Sequence, residues 1–85
     1  MRIAYKKSFD KKFKKLSEKI KQKFYERLAV FIANPFESQL NNHLVDPAYP
    51  CCRSINITGD YRALYHEVDD TVTFVIIGTH SELYS

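Results

Sequence analysis

The residues able to do chemistry in this chain are few. His43, His66 and His80 are its three imidazoles, Arg53 and Arg62 its only guanidiniums beyond residue 27, and Cys51 and Cys52 its only thiols. Imidazole moves protons near neutral pH, and a guanidinium stays charged and forks onto oxyanions. The histidines and cysteines show no CxxC or HxxxH spacing, so no metal site is expected. Gly59 and Gly78 are the only glycines, which excludes a glycine-rich phosphate loop. No GxSxG stands for a hydrolase nucleophile. The adjacent thiols lack an activating charge pattern and read as idle. Arg62, His66, His80, Tyr84 and the lysines remain. Arg62 opens an apolar segment, and arginine is rarely buried unpaired, so it is exposed or partnered. His80 follows Gly78 after the most apolar run, Val72–Ile77, and by position alone is an ordinary strand-end histidine.

These groups need a scaffold. The chain of 85 residues is expected to form a single domain over 1–85. Hydrophobic residues make up 45% and aromatics 14%, which excludes a disordered tail. No apolar run reaches the ~18–20 residues of a membrane span. The opening Met1-Arg2-Ile3-Ala4-Tyr5-Lys6-Lys7 carries no apolar leader, and adjacent cysteines cannot build a disulfide framework, so a cytoplasmic location is expected. Charge is unevenly spread. Residues 1–27 hold eleven Lys/Arg and three Asp/Glu, a net +8, whereas residues 28–85 hold two and seven, a net −5. The basic part reads either as a face for a polyanion or as a solvated helix face.

Arg2–Lys6 reads as a short strand. Phe9, Phe13, Leu16, Ile20, Phe24, Leu28 and Phe31 then recur at steps of three and four, one apolar stripe of helical period. One helix from Ser8 to Ala33 would run about 39 Å, longer than the ~30 Å diameter of a domain this size. Ser17 is a plausible N-cap with Glu18 behind it, so a helical hairpin breaking near Leu16–Ser17 is expected. Residues 34–52 read as irregular. Arg53–Thr58, Tyr61–Val68 and Thr71–Ile77 are β-branched and aromatic, separated by Gly59-Asp60 and Asp69-Asp70, and read as an antiparallel meander. A two-residue loop at Asp69-Asp70 pairs residue i with 139 − i. Tyr61, Ala63 and Tyr65 then share the helix-covered face with Val72, Phe74 and Ile76. A three-residue loop with Gly59 left-handed adds Ile55 and Ile57 to that face. The other face displays Ser54, Asn56, Arg62 and His66. Strict alternation sends His80 away from Arg62 unless Gly78 bends the chain back.

Gly59-Asp60-Tyr61-Arg62-Ala63-Leu64-Tyr65, followed by Ile77-Gly78-Thr79-His80-Ser81-Glu82-Leu83-Tyr84, resembles the RelE/YafQ/HigB group of bacterial toxin–antitoxin toxins. Leu40-Asn41-Asn42-His43-Leu44 resembles the segment that precedes the sheet in that group. The resemblance spans nearly the whole chain. It implies an α+β, RelE-like fold: a short N-terminal strand and a helical hairpin packed on one face of a twisted antiparallel sheet.

It also implies a toxin that is a metal-independent endoribonuclease, cutting mRNA on the ribosome by attack of a 2′-hydroxyl on the neighbouring phosphate, with no cofactor. By this resemblance His80 is the main acid/base, Arg62 holds the scissile phosphate, Tyr84 positions the nucleotide, and His43 is a candidate for the second proton transfer. Arg53 and His66 are RNA contacts by position. Lys11, Lys12, Lys14 and Lys15 are candidates to dock on ribosomal RNA. The implied partner is a cognate antitoxin whose acidic or amphipathic segment neutralises Arg62 and the basic surface; DNA contacts belong to the antitoxin, with no direct DNA binding here. Two other readings stand beside this one. A ParE-like toxin of the same fold inhibits gyrase without a nuclease site, and a non-catalytic member only binds its antitoxin. Ser54, Asn56 and Thr58 occupy positions where relatives often carry basic or acid–base groups.

Overall fold

The computed structural model describes residues 1–84. The chain runs β1 (Arg2–Tyr5), α1 (Lys7–Phe13), α2 (Glu18–Ala33), a 3-10 turn (Ser38–Leu40), β2 (His43–Leu44), β3 (Arg53–Asn56), β4 (Tyr61–Val68), β5 (Thr71–Thr79) and α3 (His80–Tyr84). The five strands form one sheet in the order β1-β5-β4-β3-β2. β2 to β5 pair antiparallel as a continuous ladder, and β1 joins β5 in parallel, so the sheet is mixed. That parallel pair joins the two ends of the chain, where no turn residue reports it. Nor does residue patterning announce a two-residue strand such as β2 within the segment read as irregular.

The helical hairpin breaks where expected. The Ser17 side chain accepts from the Ile20 amide at 3.3 Å and starts α2, which stops at Ala33 ahead of Asn34-Pro35. Sixteen residues span about 24 Å, within the longest dimension of 31 Å. The hairpin buries Phe9, Phe24 and Phe31 against Ile55, Ile57, Ala63, Tyr65, Val72, Phe74 and Ile77. The rings of Phe9, Phe24 and Phe74 lie 5.3–5.8 Å apart in tilted and edge-on pairs, each a contribution beyond area burial.

The 139 − i register holds from Val68↔Thr71 to Tyr65↔Phe74, then slips: Leu64 pairs with Ile76 and Ala63 with Ile77. Val75 is the extra residue of a β-bulge. Two expectations are thereby corrected. Ile77, rather than Ile76, enters the helix-side core, and Ile76 joins a second cluster with Val45, Cys52, Leu64 and Leu83. The β2–β3 segment and α3 cover part of the face expected to display Ser54, so Ser54 is buried rather than displayed. Four residues separate β3 from β4; the Ile57 amide donates to the Tyr61 carbonyl at 2.9 Å and closes a three-residue loop, Thr58–Asp60, in which Gly59 is not left-handed. At the β4–β5 turn Asp69 takes a positive φ of 57°.

Candidate functional site

Four segments meet at one end of the sheet. Arg62 stands in β4 opposite Gly78 of β5 and Asn56 of β3. After the bulge, Gly78 and His80 fall on Arg62's side of the sheet. His80 thus reaches Arg62's face through the shift at Val75 and not through a left-handed turn at Gly78. Gly78 serves by its missing side chain: a Cβ there would lie 3.1 Å from Glu82 Oε1 and 3.4 Å from Leu83 Cδ2, so α3 packs directly on β5.

One turn fastens both groups. The Arg62 Nη1 donates to the carbonyls of Thr58 (3.1 Å), Gly59 (3.1 Å) and Tyr61 (3.2 Å), and the His80 amide donates to the carbonyl of Asp60 at 3.1 Å. Among the described residues Arg62 Nε and Nη2 have no protein acceptor. The Tyr84 ring lies against His80, with centroids 4.8 Å apart one helical turn on, and meets Tyr49 edge-on at 5.9 Å. Burial raises the Tyr84 phenol above its usual range, Tyr49 adds to this, and the nearby Arg62 charge pulls the other way, so Tyr84 is a neutral hydroxyl.

His43 enters from β2, paired with Ser54 of β3. Asn41 is left-handed (φ 46°, ψ 50°), a conformation asparagine tolerates. It turns its carbonyl to His43 Nδ1 at 2.8 Å. A carbonyl only accepts, so Nδ1 carries a proton and the neutral ring keeps its lone pair on Nε2.

A cavity of about 270 Å³ is lined by Asn41, His43, Ser54, Arg62, His80 and Tyr84. It therefore gathers all four residues assigned catalytic roles by resemblance. Among the described residues its lining contains a fixed cation, two imidazoles and hydroxyl and amide groups and no carboxylate, which suits an anion of phosphate type. Among the described residues no group of three His, Cys, Asp or Glu side chains could hold a metal.

The other candidates lie outside this cavity. Arg53 Nε donates to Asn42 Oδ1 at 2.7 Å and its guanidinium sits over the Phe36 ring at 5.2 Å, beside the helix-side core. His66 shares Arg62's face further along β4, opposite Thr73. Lys11, Lys14 and Lys15 are exposed at α1 and the turn after it, and Lys12 pairs with Glu82 at 3.1 Å. Asn41 and Ser54 were not among the sequence candidates. The Asn41-Asn42 pair was a turn signal for the first, and for Ser54 the signal was its strand register, which set it on Arg62's face.

The family described as "ParE toxin of type II toxin-antitoxin system, parDE" matches residues 3–84. The chain belongs to that family. It is a type II toxin with a YafQ/RelE-like fold. Its backbone is similar to YafQ from E. coli strain BL21(DE3), with a TM-score of 0.83 at 22% identity over 100% of both chains. It is similar to the E. coli DinJ-YafQ toxin-antitoxin complex, with a TM-score of 0.80 at 21% identity over 98% of this chain and 96% of that one. The RelB-RelE antitoxin-toxin complex from Methanococcus jannaschii gives a TM-score of 0.74 at 18% identity over 95% and 94%. No curated protein matches the sequence. At these identities the likeness establishes the toxin fold, in agreement with the resemblance carried by Gly59–Tyr65 and Ile77–Tyr84.

Proposed function

We propose that this toxin is an endoribonuclease that cleaves mRNA on the ribosome without a metal or cofactor. The observation that carries the reading is the cavity in which Arg62, His80, Tyr84 and His43 converge from separate segments. In the reaction the ribose O2′ bonds to the adjacent phosphorus, and the bond from phosphorus to O5′ breaks. The products are a 2′,3′-cyclic phosphate and a 5′-hydroxyl end. The 2′-hydroxyl proton goes to an imidazole; in this reading His43 Nε2 takes it, and the contact of Nδ1 with the Asn41 carbonyl supports that role. His80 gives a proton to O5′. Arg62, held through Nη1, directs Nε and Nη2 at the phosphate oxygens, where negative charge builds in the transition state. Tyr84 offers a ring and a neutral hydroxyl to the nucleotide. Lys11, Lys14 and Lys15, with Arg53 and His66 at the sheet, add sequence-blind contacts to RNA.

The partner in this reading is an antitoxin with an acidic or amphipathic segment that covers Arg62 and the basic surface. Fold neighbours solved as DinJ-YafQ and RelB-RelE complexes support it. DNA contacts fall to the antitoxin, and the module works in the cytoplasm; no helix among the described residues is long and apolar enough to cross a membrane. Membership of the ParE family favours a second reading, gyrase inhibition without cleavage.

Purified toxin added to ribosomes programmed with mRNA separates the two. Cleavage is expected with wild type, falling at least ~10²-fold in His80→Ala and in Arg62→Ala, the scale for acid–base and oxyanion groups. Undiminished cleavage in both variants overturns the site assignment, and intact mRNA alongside inhibited gyrase establishes the second reading.

A further inference from the structure

α3 has five residues, far too few to hold as a helix unaided. What fixes it decides where His80 and Tyr84 point. Leu83 is buried beneath it, and the Tyr49 hydroxyl donates to the Leu83 carbonyl at 2.6 Å. The His80 amide is held by the Asp60 carbonyl at 3.1 Å, and further ties run through Glu82. The Thr79 amide donates to Glu82 Oε1 at 2.8 Å, and the Glu82 amide donates to the Thr79 hydroxyl at 3.2 Å. This reciprocal pair is a capping box, satisfying two helix-start donors that otherwise lack partners. The second carboxylate oxygen accepts from Lys12 Nζ at 3.1 Å, tying α3 to α1. The carboxylate lies in the space left by Gly78, the residue opposite Arg62.

We propose that Glu82 is a positioning residue of the cavity: it lines none of it, but locks the α3 conformation that presents His80 and Tyr84 to Arg62. For its kinetic consequence this rests on the nuclease reading; for its structural consequence it does not. Lys12 has a matching part. A bare carboxylate beside Gly78 would repel an incoming phosphate, and the Lys12 ammonium offsets that charge. The lysine run is therefore not uniform: Lys12 serves the tail, while Lys11, Lys14 and Lys15 face solvent.

The test is nuclear magnetic resonance on the whole chain with Glu82→Ala and Glu82→Gln. Glu82→Ala is expected to lose the His80–Tyr84 ring contact and amide-exchange protection in α3, while α2 amides stay protected. Glu82→Gln keeps an oxygen for the Thr79 amide, and the ring contact is expected to return. On programmed ribosomes kcat falls ~10–100-fold in Glu82→Ala, with a smaller rise in KM, because Tyr84 is only one of the groups that hold RNA. Persistence of the ring contact in Glu82→Ala overturns the proposal. So does loss of protection throughout α2, which would make Glu82 a general stability residue, or failure of Glu82→Gln to restore the contact. The resonance measurements involve no RNA, so they judge Glu82 even where wild type leaves mRNA whole.

Discussion

Arg62 faces Gly78 across β4 and β5, where an unbroken ladder would have set Ile77 against it. The difference of one residue decides the architecture of this end of the sheet. It turns Ile77 into the helix-side core and brings the tail carrying His80 onto Arg62's face. The extra residue, Val75, has a carbonyl that accepts from the Ser8 hydroxyl of α1. The bulge thus has a partner on the helical layer, and the placement of His80 relative to Arg62 is linked to the first turn of the chain.

Ser8→Ala removes that bond. A neutral hydrogen bond contributes about 1 kcal/mol, and alanine's better helix propensity returns up to about 0.5 kcal/mol. Thermal unfolding should therefore shift down by roughly 2–8 °C, with Ser8→Thr closer to wild type. Calorimetry on the three proteins checks this, and an unchanged midpoint in Ser8→Ala would show that core packing alone holds the bulge.

Asn56 Oδ1, opposite Arg62 on β3, is buried without a hydrogen-bond partner among the described residues. An orphaned buried acceptor costs about 1–3 kcal/mol, and valine suits a strand. Asn56→Val is expected to raise the denaturant midpoint at unchanged m-value. A lower midpoint would mean that this amide has a stabilising partner in solution.

The two thiols should behave differently. Cys51 is exposed, whereas Cys52 is buried in the second cluster, and burial pushes its thiol up, with Cys51 adding to the rise. Alkylation of the native protein near neutral pH is expected to add one label, at Cys51, and two after denaturation. Mass spectrometry of the peptides reads this directly. Equal labelling of both in the native state would contradict the packing of the β2–β3 segment.

Glu82 titrates below the ordinary glutamate range, chiefly because its carboxylate accepts from the Thr79 amide and then because of Lys12. A carboxylate with a folded value below its unfolded one adds stability in full above the unfolded value, about 4.3. That stability is lost as pH falls through the folded value. The α3 amides should keep their exchange protection on acidification to about pH 4.3 and lose it below. Glu82→Gln should abolish that dependence. Loss of α3 protection at a higher pH in wild type would place the acid sensitivity elsewhere.

Much of this was legible in the residues themselves. Ser17 announced the break between α1 and α2, and Asp69-Asp70 set the pairing of His66 with Thr73 correctly. The pattern failed where local and tertiary demands part. An alternating run through Val75 looks like any strand, and only the fit of Ile77 beneath the helices and Ile76 beneath α3 selects the bulge. β1 alongside β5 is a contact between chain ends, invisible to turn chemistry. α3 is too short for periodicity, although Thr79-x-x-Glu82 is a capping-box spacing and was the available signal. Arg62 and His80 were found by resemblance rather than by spacing, since a cavity built from four segments leaves no contiguous motif.

The central claim is that the cavity cuts RNA. Mapping RNA 5′ ends after induced expression tests it most directly. Translation is expected to stop and mRNA fragments with 5′-hydroxyl ends to accumulate, and these fragments are expected to be absent on induction of Arg62→Ala. Growth arrest with full-length mRNA and accumulating DNA breaks would contradict it.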